Sequence, residues 1–248
     1  MSRPKRIAGN IIKTLVLPIG MYIVLFILTR ITGHGQFGTW STLLPILQNT
    51  MLGSCIALSM TCNMLNNRWD FSIGMMVVLC PVLVMPLVDK LGAGPVGLLL
   101  LCIAAGLVLG LINAAAYILI RVPSIVTGIG LMIIYEGFIL VYNGGLGARI
   151  TDFEMLKIGQ PPYIFIIGLV AAGIFYVLYT YTKFGYNVRS LAGNQSLAVS
   201  TGINEKRNVI GCYLLCGFFV GVAGAIYVAM SGSLTATAKF NGSMNIMF

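Results

Sequence analysis

Apolar residues in this chain run in long unbroken blocks rather than alternating with polar ones. The first block spans residues 11–31, and others follow at 43–65, 71–88, 96–120, 124–142, 163–181 and 209–230. A block of about 18 or more apolar residues matches the thickness of a bilayer's hydrocarbon core. Inside that core each backbone N–H and C=O needs a partner within the chain, which predicts helices. A β-barrel would require short alternating segments, and none occur. The expected fold is therefore all-α, a polytopic bundle of about seven spans. It forms one transmembrane domain over residues 1–248.

The links between blocks are short, with two exceptions. Residues 66–70 read Asn-Asn-Arg-Trp-Asp, residues 89–95 form a Gly- and Pro-containing turn, and Arg121-Val122-Pro123 separates the fourth and fifth blocks. Pro81 and Pro86 within the third block predict a kink or break there. The two longer polar stretches are 143–162 and 183–208.

Composition agrees with a membrane assignment. The chain is 58% hydrophobic and only 8% charged, where a soluble domain carries about a quarter charged residues. The formal net charge of +9 reads as a topology signal. With the N-terminus in the cytoplasm and the blocks alternating, ten of the fifteen basic residues fall inside. They are Arg3, Lys5, Arg6, Lys13, Arg68, Arg121, Lys183, Arg189, Lys206 and Arg207. Arg30, Lys90, Arg149, Lys157 and Lys239 fall outside. That bias sets the orientation and places 183–208 in the cytoplasm. No basic run with interleaved aromatics suggests nucleic acid.

The six cysteines all lie within apolar blocks with no CxxC pair, and are expected as buried, reduced thiols. The one histidine, His34, sits in a Gly-rich loop and cannot build a multi-histidine metal site. There is no GxxxxGK[ST] and no HExxH, so neither a P-loop nor a zinc-protease helix is present. No catalytic residue, metal site or cofactor is expected, and the chain reads as a non-enzyme. Gly106 with Gly110, and Gly217 with Gly221, form two GxxxG pairs that allow close helix packing in lipid.

Three places could carry function. Glu136 lies within the fifth block, where a carboxylate is costly. It reads either as a proton or solute contact or as a structural acid near the helix end. Asp70 and Ser72 can cap the helix that begins near Phe71. That start suits a discontinuous helix at a transport route, or a simple interfacial turn anchored by Arg68 and Trp69. In the cytoplasmic stretch, Asn194 is a good N-cap and Gly202 a good residue just past a helix end. Between them there is room for about two helical turns, too short to be stable alone. Such a helix would pack on its own bundle or dock, through small side chains, into a groove on a partner.

Gly193-Asn194 followed by Ala198, Ser200 and Gly202-Ile203-Asn204 resembles the cytoplasmic coupling motif of sugar-type ABC importer permeases, the family of ribose, xylose, galactose and autoinducer-2 permeases. Asp70-Phe71-Ser72-Ile73-Gly74 is similar to that family's Asp-Leu-Ser-Val-Gly stretch. Gly110-Leu111-Ile112-Asn113 is similar to its Gly-x-Ile-Asn. The resemblance spans roughly residues 49–230. Where the family usually has two glycines before the Asp-Leu-Ser segment, this chain has Asn67-Arg68-Trp69, and the usual second Ala of the coupling motif is absent.

The resemblance implies a permease subunit in the bacterial plasma (inner) membrane for a simple sugar or related small polar solute, with further spans following the C-terminal end of this chain. Its implied partners are a separate ATP-binding subunit, a second permease subunit and an extracellular solute-binding protein. Gly193, Asn194, Leu197, Ala198, Ser200, Gly202 and Ile203 would couple to the ATPase. Asp70, Ser72, Asn113 and Glu136 would line the translocation route. The alternatives are a proton-coupled secondary transporter using Glu136, and a non-transporting membrane scaffold.

Overall fold

A computed structural model describes the backbone of residues 3–33 and 37–234, with side chains from Val16 onward except Asn143. His34 and the tail from residue 235, with Lys239, lie outside the described residues. Nine α-helices occur among the described residues. They are α1 (Arg3–Ile31), α2 (Trp40–Leu65), α3 (Ile73–Leu91), α4 (Pro95–Ile120), α5 (Ser124–Val141), α6 (Tyr163–Tyr181), α7 (Lys183–Gly193), α8 (Gln195–Ser200) and α9 (Glu205–Ser231). Six of them, α2 to α6 and α9, are long and apolar enough to cross a membrane, and Val16–Ile31 of α1 forms a shorter apolar segment. The all-α polytopic bundle is therefore present, and its spans fall on the apolar blocks.

The chain divides into a unit of residues 1–49 and a unit of residues 50–248. Within the first, Tyr22 packs on Phe26 and Phe37, and Arg30 lies over the Phe26 ring.

Within the second, α3 and α9 are buried along most of their length, while α4, α5 and α6 turn largely exposed apolar faces outward. The most extensive helix pairing is the antiparallel one of α4 with α9, and the two GxxxG pairs make it. A Cβ on Gly106 would lie 2.2 Å from the Gly217 carbonyl oxygen, and one on Gly110 would lie 2.4 Å from that of Tyr213. A Cβ on Gly221 would lie 2.4 Å from the Cys102 oxygen. Only glycine permits this approach of two backbones.

Pro81 and Pro86 do not break α3, which is continuous from Ile73 to Leu91. A lost N–H bond in a membrane helix is tolerated when neighbouring helices enclose it. Here Pro81 packs beside Gly224 of α9. All six cysteines are buried and free of disulfides.

The links sort onto two sides. The Trp69 amide donates to the Ser124 hydroxyl at 3.0 Å, and Arg68 reaches Glu205 at the start of α9. So the 66–72 link, the 121–124 link and the α7–α9 segment share one end of the bundle. At the other end the Thr151 hydroxyl donates to Asp89 at 2.9 Å, and a two-residue strand β1 (Ala148–Arg149) pairs antiparallel with β2 (Ser233–Leu234). Strict alternation of spans requires this segregation.

Candidate functional site

Two features lie at the end that carries residues 66–72 and 183–208. The first is a buried polar knot. After α2, Asn67 takes a left-handed conformation with φ 58°, one that asparagine tolerates better than most residues. This supplies the bend between α2 and the turn at Asp70. Asp70 then folds back on its own chain. Its Oδ1 accepts from the Ser72 amide at 2.9 Å and from the Ser72 hydroxyl at 2.6 Å.

Asn113 of α4 closes the ring. Its Nδ2 donates to Asp70 Oδ2 at 3.0 Å and to Ser72 Oγ at 2.6 Å. The Tyr135 hydroxyl of α5 donates to Asn113 Oδ1 at 2.5 Å. Gly128 of α5 sits directly against this turn, since a Cβ there would meet the Phe71 nitrogen at 2.8 Å.

The structure thus brings Asn113 onto Asp70 and Ser72, 43 and 41 residues earlier in sequence, and adds Tyr135. Ser72 does not cap α3 with its side chain, because its hydroxyl is directed at Asp70 instead. Asp70, Ser72 and Asn113 are each almost wholly buried. Burial pushes the Asp70 carboxyl above its usual range, against the hydrogen bonds from Ser72 and Asn113 that favour its charged form. The knot fastens α3, α4 and α5 to one another. Glu136 stands apart from it, half-exposed on α5, with no hydrogen bond or ion pair to any described residue.

The second feature is the segment around α8. Asn194 caps α8, its Oδ1 accepting from the Leu197 amide at 3.1 Å. At the other end the Gly202 amide donates to Val199 and the Ile203 amide to Ala198, with Gly202 at φ 93°. These two bonds form a Schellman closure. Both ends of the six-residue helix are therefore fixed locally.

Its side chains divide. Ala198 is buried against the chain's own surface, whereas Leu197 is 62% and Val199 45% exposed. Ser196, Ser200 and Gly193 are exposed as well.

The preceding helix α7 was not evident from the sequence. Thr182 caps it, accepting from the Gly185 amide at 3.3 Å, and Gly185, Val188 and Leu191 form its buried face. Gly185 is required by contact, since a Cβ would fall 2.0 Å from the Tyr179 oxygen. The signal was the Thr182 cap followed by buried positions three apart.

A polar bridge joins the two features. Glu205 Oε1 accepts from Gln195 Nε2 of α8 at 2.8 Å and lies 3.5 Å from Arg68 Nη2. The Arg68 guanidinium is buried and covers the Tyr117 ring. Arg68 is two residues from Asp70, so α8, the head of α9 and the knot are in physical continuity. Among the described residues no group of His, Cys, Asp and Glu could hold a metal ion.

Six apolar helices with their links segregated to two ends define a multi-pass membrane protein. The chain belongs to the family described as branched-chain amino acid transport system / permease component, whose family model matches residues 42–248.

It is 27% identical, over 79% of its length, to the galactose/methyl galactoside import permease protein of Haemophilus influenzae. It is 29% identical, over 82% of its length, to the ribose import permease protein of Escherichia coli. The autoinducer 2 import system permease protein of Shigella flexneri is 25% identical over 85% of this chain. The resemblance to sugar-type importer permeases is borne out by these relatives. The matches cover 65%, 66% and 62% of those three proteins respectively, so the chain spans less than two thirds of the length of each. No solved structure matches it.

Proposed function

We infer that the chain is the membrane-spanning permease part of an ATP-driven importer for a simple sugar or related small polar solute, coupled through α8 to a separate ATP-binding subunit. The observation that carries this reading is α8 itself. It is a helix closed at both ends by its own side-chain and backbone bonds, seated by Ala198, with Leu197 and Val199 turned to the aqueous side. Two exposed aliphatic residues on a rigid, water-facing segment suit insertion into a partner's groove. The bridge from Gln195 through Glu205 to Arg68 leads from that contact toward the knot holding α3, α4 and α5.

In this account nucleotide-driven movement of the partner displaces α8, and the bundle switches its access as a rigid-body rearrangement. A second permease subunit and an extracellular solute-binding protein complete the assembly. The relatives named as galactose, ribose and autoinducer 2 import permeases support the substrate class. Gly193, Asn194, Gly202 and Ile203 shape α8, Ala198 seats it, and Leu197 and Ser200 make the outward contact. Asp70, Ser72 and Asn113 hold the helix ends beside the route, and Glu136 contributes to the route or to the face between permease subunits.

Reconstitution with the cognate ATPase and binding protein tests this reading. Solute uptake should require internal ATP and should not be driven by a proton gradient alone. Uptake driven by the proton gradient in ATP-free vesicles would replace this reading with a proton-coupled carrier.

A further inference from the structure

A crevice of about 400 Å³ runs up the bundle between α4, α6 and α9. Leu107, Ile174, Leu178, Leu214 and Phe218 line it, and Phe184 of α7 closes its cytoplasmic end. No charged residue lines it among the described residues. On α9 it extends from Gly211 to Phe218, roughly 10 Å at 1.5 Å per residue.

Directly below, across the same Phe184, lies a second cavity of about 470 Å³ lined by Asn187, Asn204, Arg207 and Asn208. Asn208 and Gly211 are one turn apart on a single face of α9, so the two cavities form one column. Its upper part is apolar and membrane-embedded, and its lower part, of mixed lining, adds Asn187, Asn204, Arg207 and Asn208 at the aqueous boundary.

Two further observations say what fits there. Asn208, which lines this cavity, is only 4% exposed, yet its Oδ1 has no hydrogen-bond partner among the described residues. A buried acceptor of this kind calls for a donor from outside the chain. The charge is one-sided as well. Arg207 lines the lower cavity, with Lys206 beside it in sequence and Lys183 beside Phe184. The sole acid from residue 183 to 210 is Glu205, already engaged by Gln195 and Arg68.

We propose that this column is a binding site for an anionic phospholipid of the cytoplasmic leaflet, with an acyl chain in the crevice, the phosphate at Arg207 and headgroup hydroxyls toward Asn208. A glycerol headgroup suits the site because it supplies both a negative phosphate and donors. The lipid would touch α7, the Gly202–Asn204 turn and α9 together, and so would brace the segment that carries α8. The proposal stands independently of the transport reading, because its test uses neither ATPase nor solute.

The full chain is placed in nanodiscs of phosphatidylcholine alone, or with an increasing fraction of phosphatidylglycerol of the same acyl length, and its thermal unfolding is followed. The melting temperature should rise with phosphatidylglycerol, and the gain should shrink at raised ionic strength. Arg207→Glu should abolish the gain, and Leu214→Trp, which fills the crevice, should reduce it. Native mass spectrometry of the wild type should show retained phosphatidylglycerol, diminished in both variants. Equal melting temperatures in the two lipids would overturn the proposal. So would an undiminished gain in Arg207→Glu, or a crevice inaccessible to spin-labelled lipid because another polypeptide segment fills it.

Discussion

Asn113 is the keystone of the buried knot, and replacing it with Ala removes three hydrogen bonds to oxygen at once, besides a weak one to Met76 Sδ. Asp70 Oδ2 and Ser72 Oγ each lose a donor, and the Tyr135 hydroxyl loses its acceptor. Interhelical hydrogen bonds in membranes contribute about 0.6 kcal/mol on average, which puts the three near 2 kcal/mol. Stranding a buried polar group costs about 1–3 kcal/mol, and the Asp70 carboxyl, as an ionisable group, lies at the upper end. Asn113→Ala should therefore destabilise the bundle by about 2–5 kcal/mol.

The assay is thermal or denaturant unfolding in detergent, with Leu111→Ala as a control on the exposed face of the same helix. Tyr135→Phe supplies a double-mutant cycle. When Tyr135→Phe is already present, Asn113→Ala should cost less, with a coupling of at least ~0.5 kcal/mol. Strict additivity, or a loss no larger than that of Leu111→Ala, would refute the knot.

Close packing of α4 on α9 predicts that Gly217→Ala costs about 1–3 kcal/mol by overpacking, whereas Gly130→Ala, with open space around it, should be near neutral in the same unfolding assay. The raised Asp70 carboxyl means that the folded state holds its proton more tightly than the unfolded chain does. Stability from this group is then present at low pH and declines as pH rises from about 4, the ordinary carboxylate range, through the raised folded value. The stability of the wild type relative to Asp70→Asn should accordingly fall with increasing pH over that window, and a difference that grows would contradict the burial argument. Gly202→Ala forces a side chain into a left-handed conformation, at about 1–2 kcal/mol. It should raise amide exchange through α8 while leaving α9 protected.

The spans were legible because a bilayer demands a pattern that little else produces. The block 163–181 coincides with α6, and 43–65 and 96–120 fall within three residues of α2 and α4. The α8 segment was legible because its ends depend on two residue types with strong local preferences, Asn at the cap and Gly at a positive φ. What escaped was pairwise and long-range. The sequence shows two GxxxG pairs, but nothing local says that they face each other. Arg68 and Glu205 are 137 residues apart, and each read alone is a solvated charge. Tyr135 was overshadowed by Glu136, although a tyrosine hydroxyl within a span needs a partner. The structure gives that partner to Tyr135 and, among the described residues, none to Glu136. Helix α7 was hidden in a polar stretch because only one narrow face of it is buried.

The central claim is that α8 is the contact through which a separate ATPase acts on this bundle. Leu197→Asp with Val199→Asp tests it most directly, since both side chains point away from the chain's own core and the fold should survive. With the cognate ATP-binding subunit co-expressed, the wild type should co-purify with it in stoichiometric amounts. The double variant, unchanged in its own melting temperature, should lose it. Undiminished co-purification by the double variant, with solute-stimulated ATP hydrolysis intact, would contradict the claim.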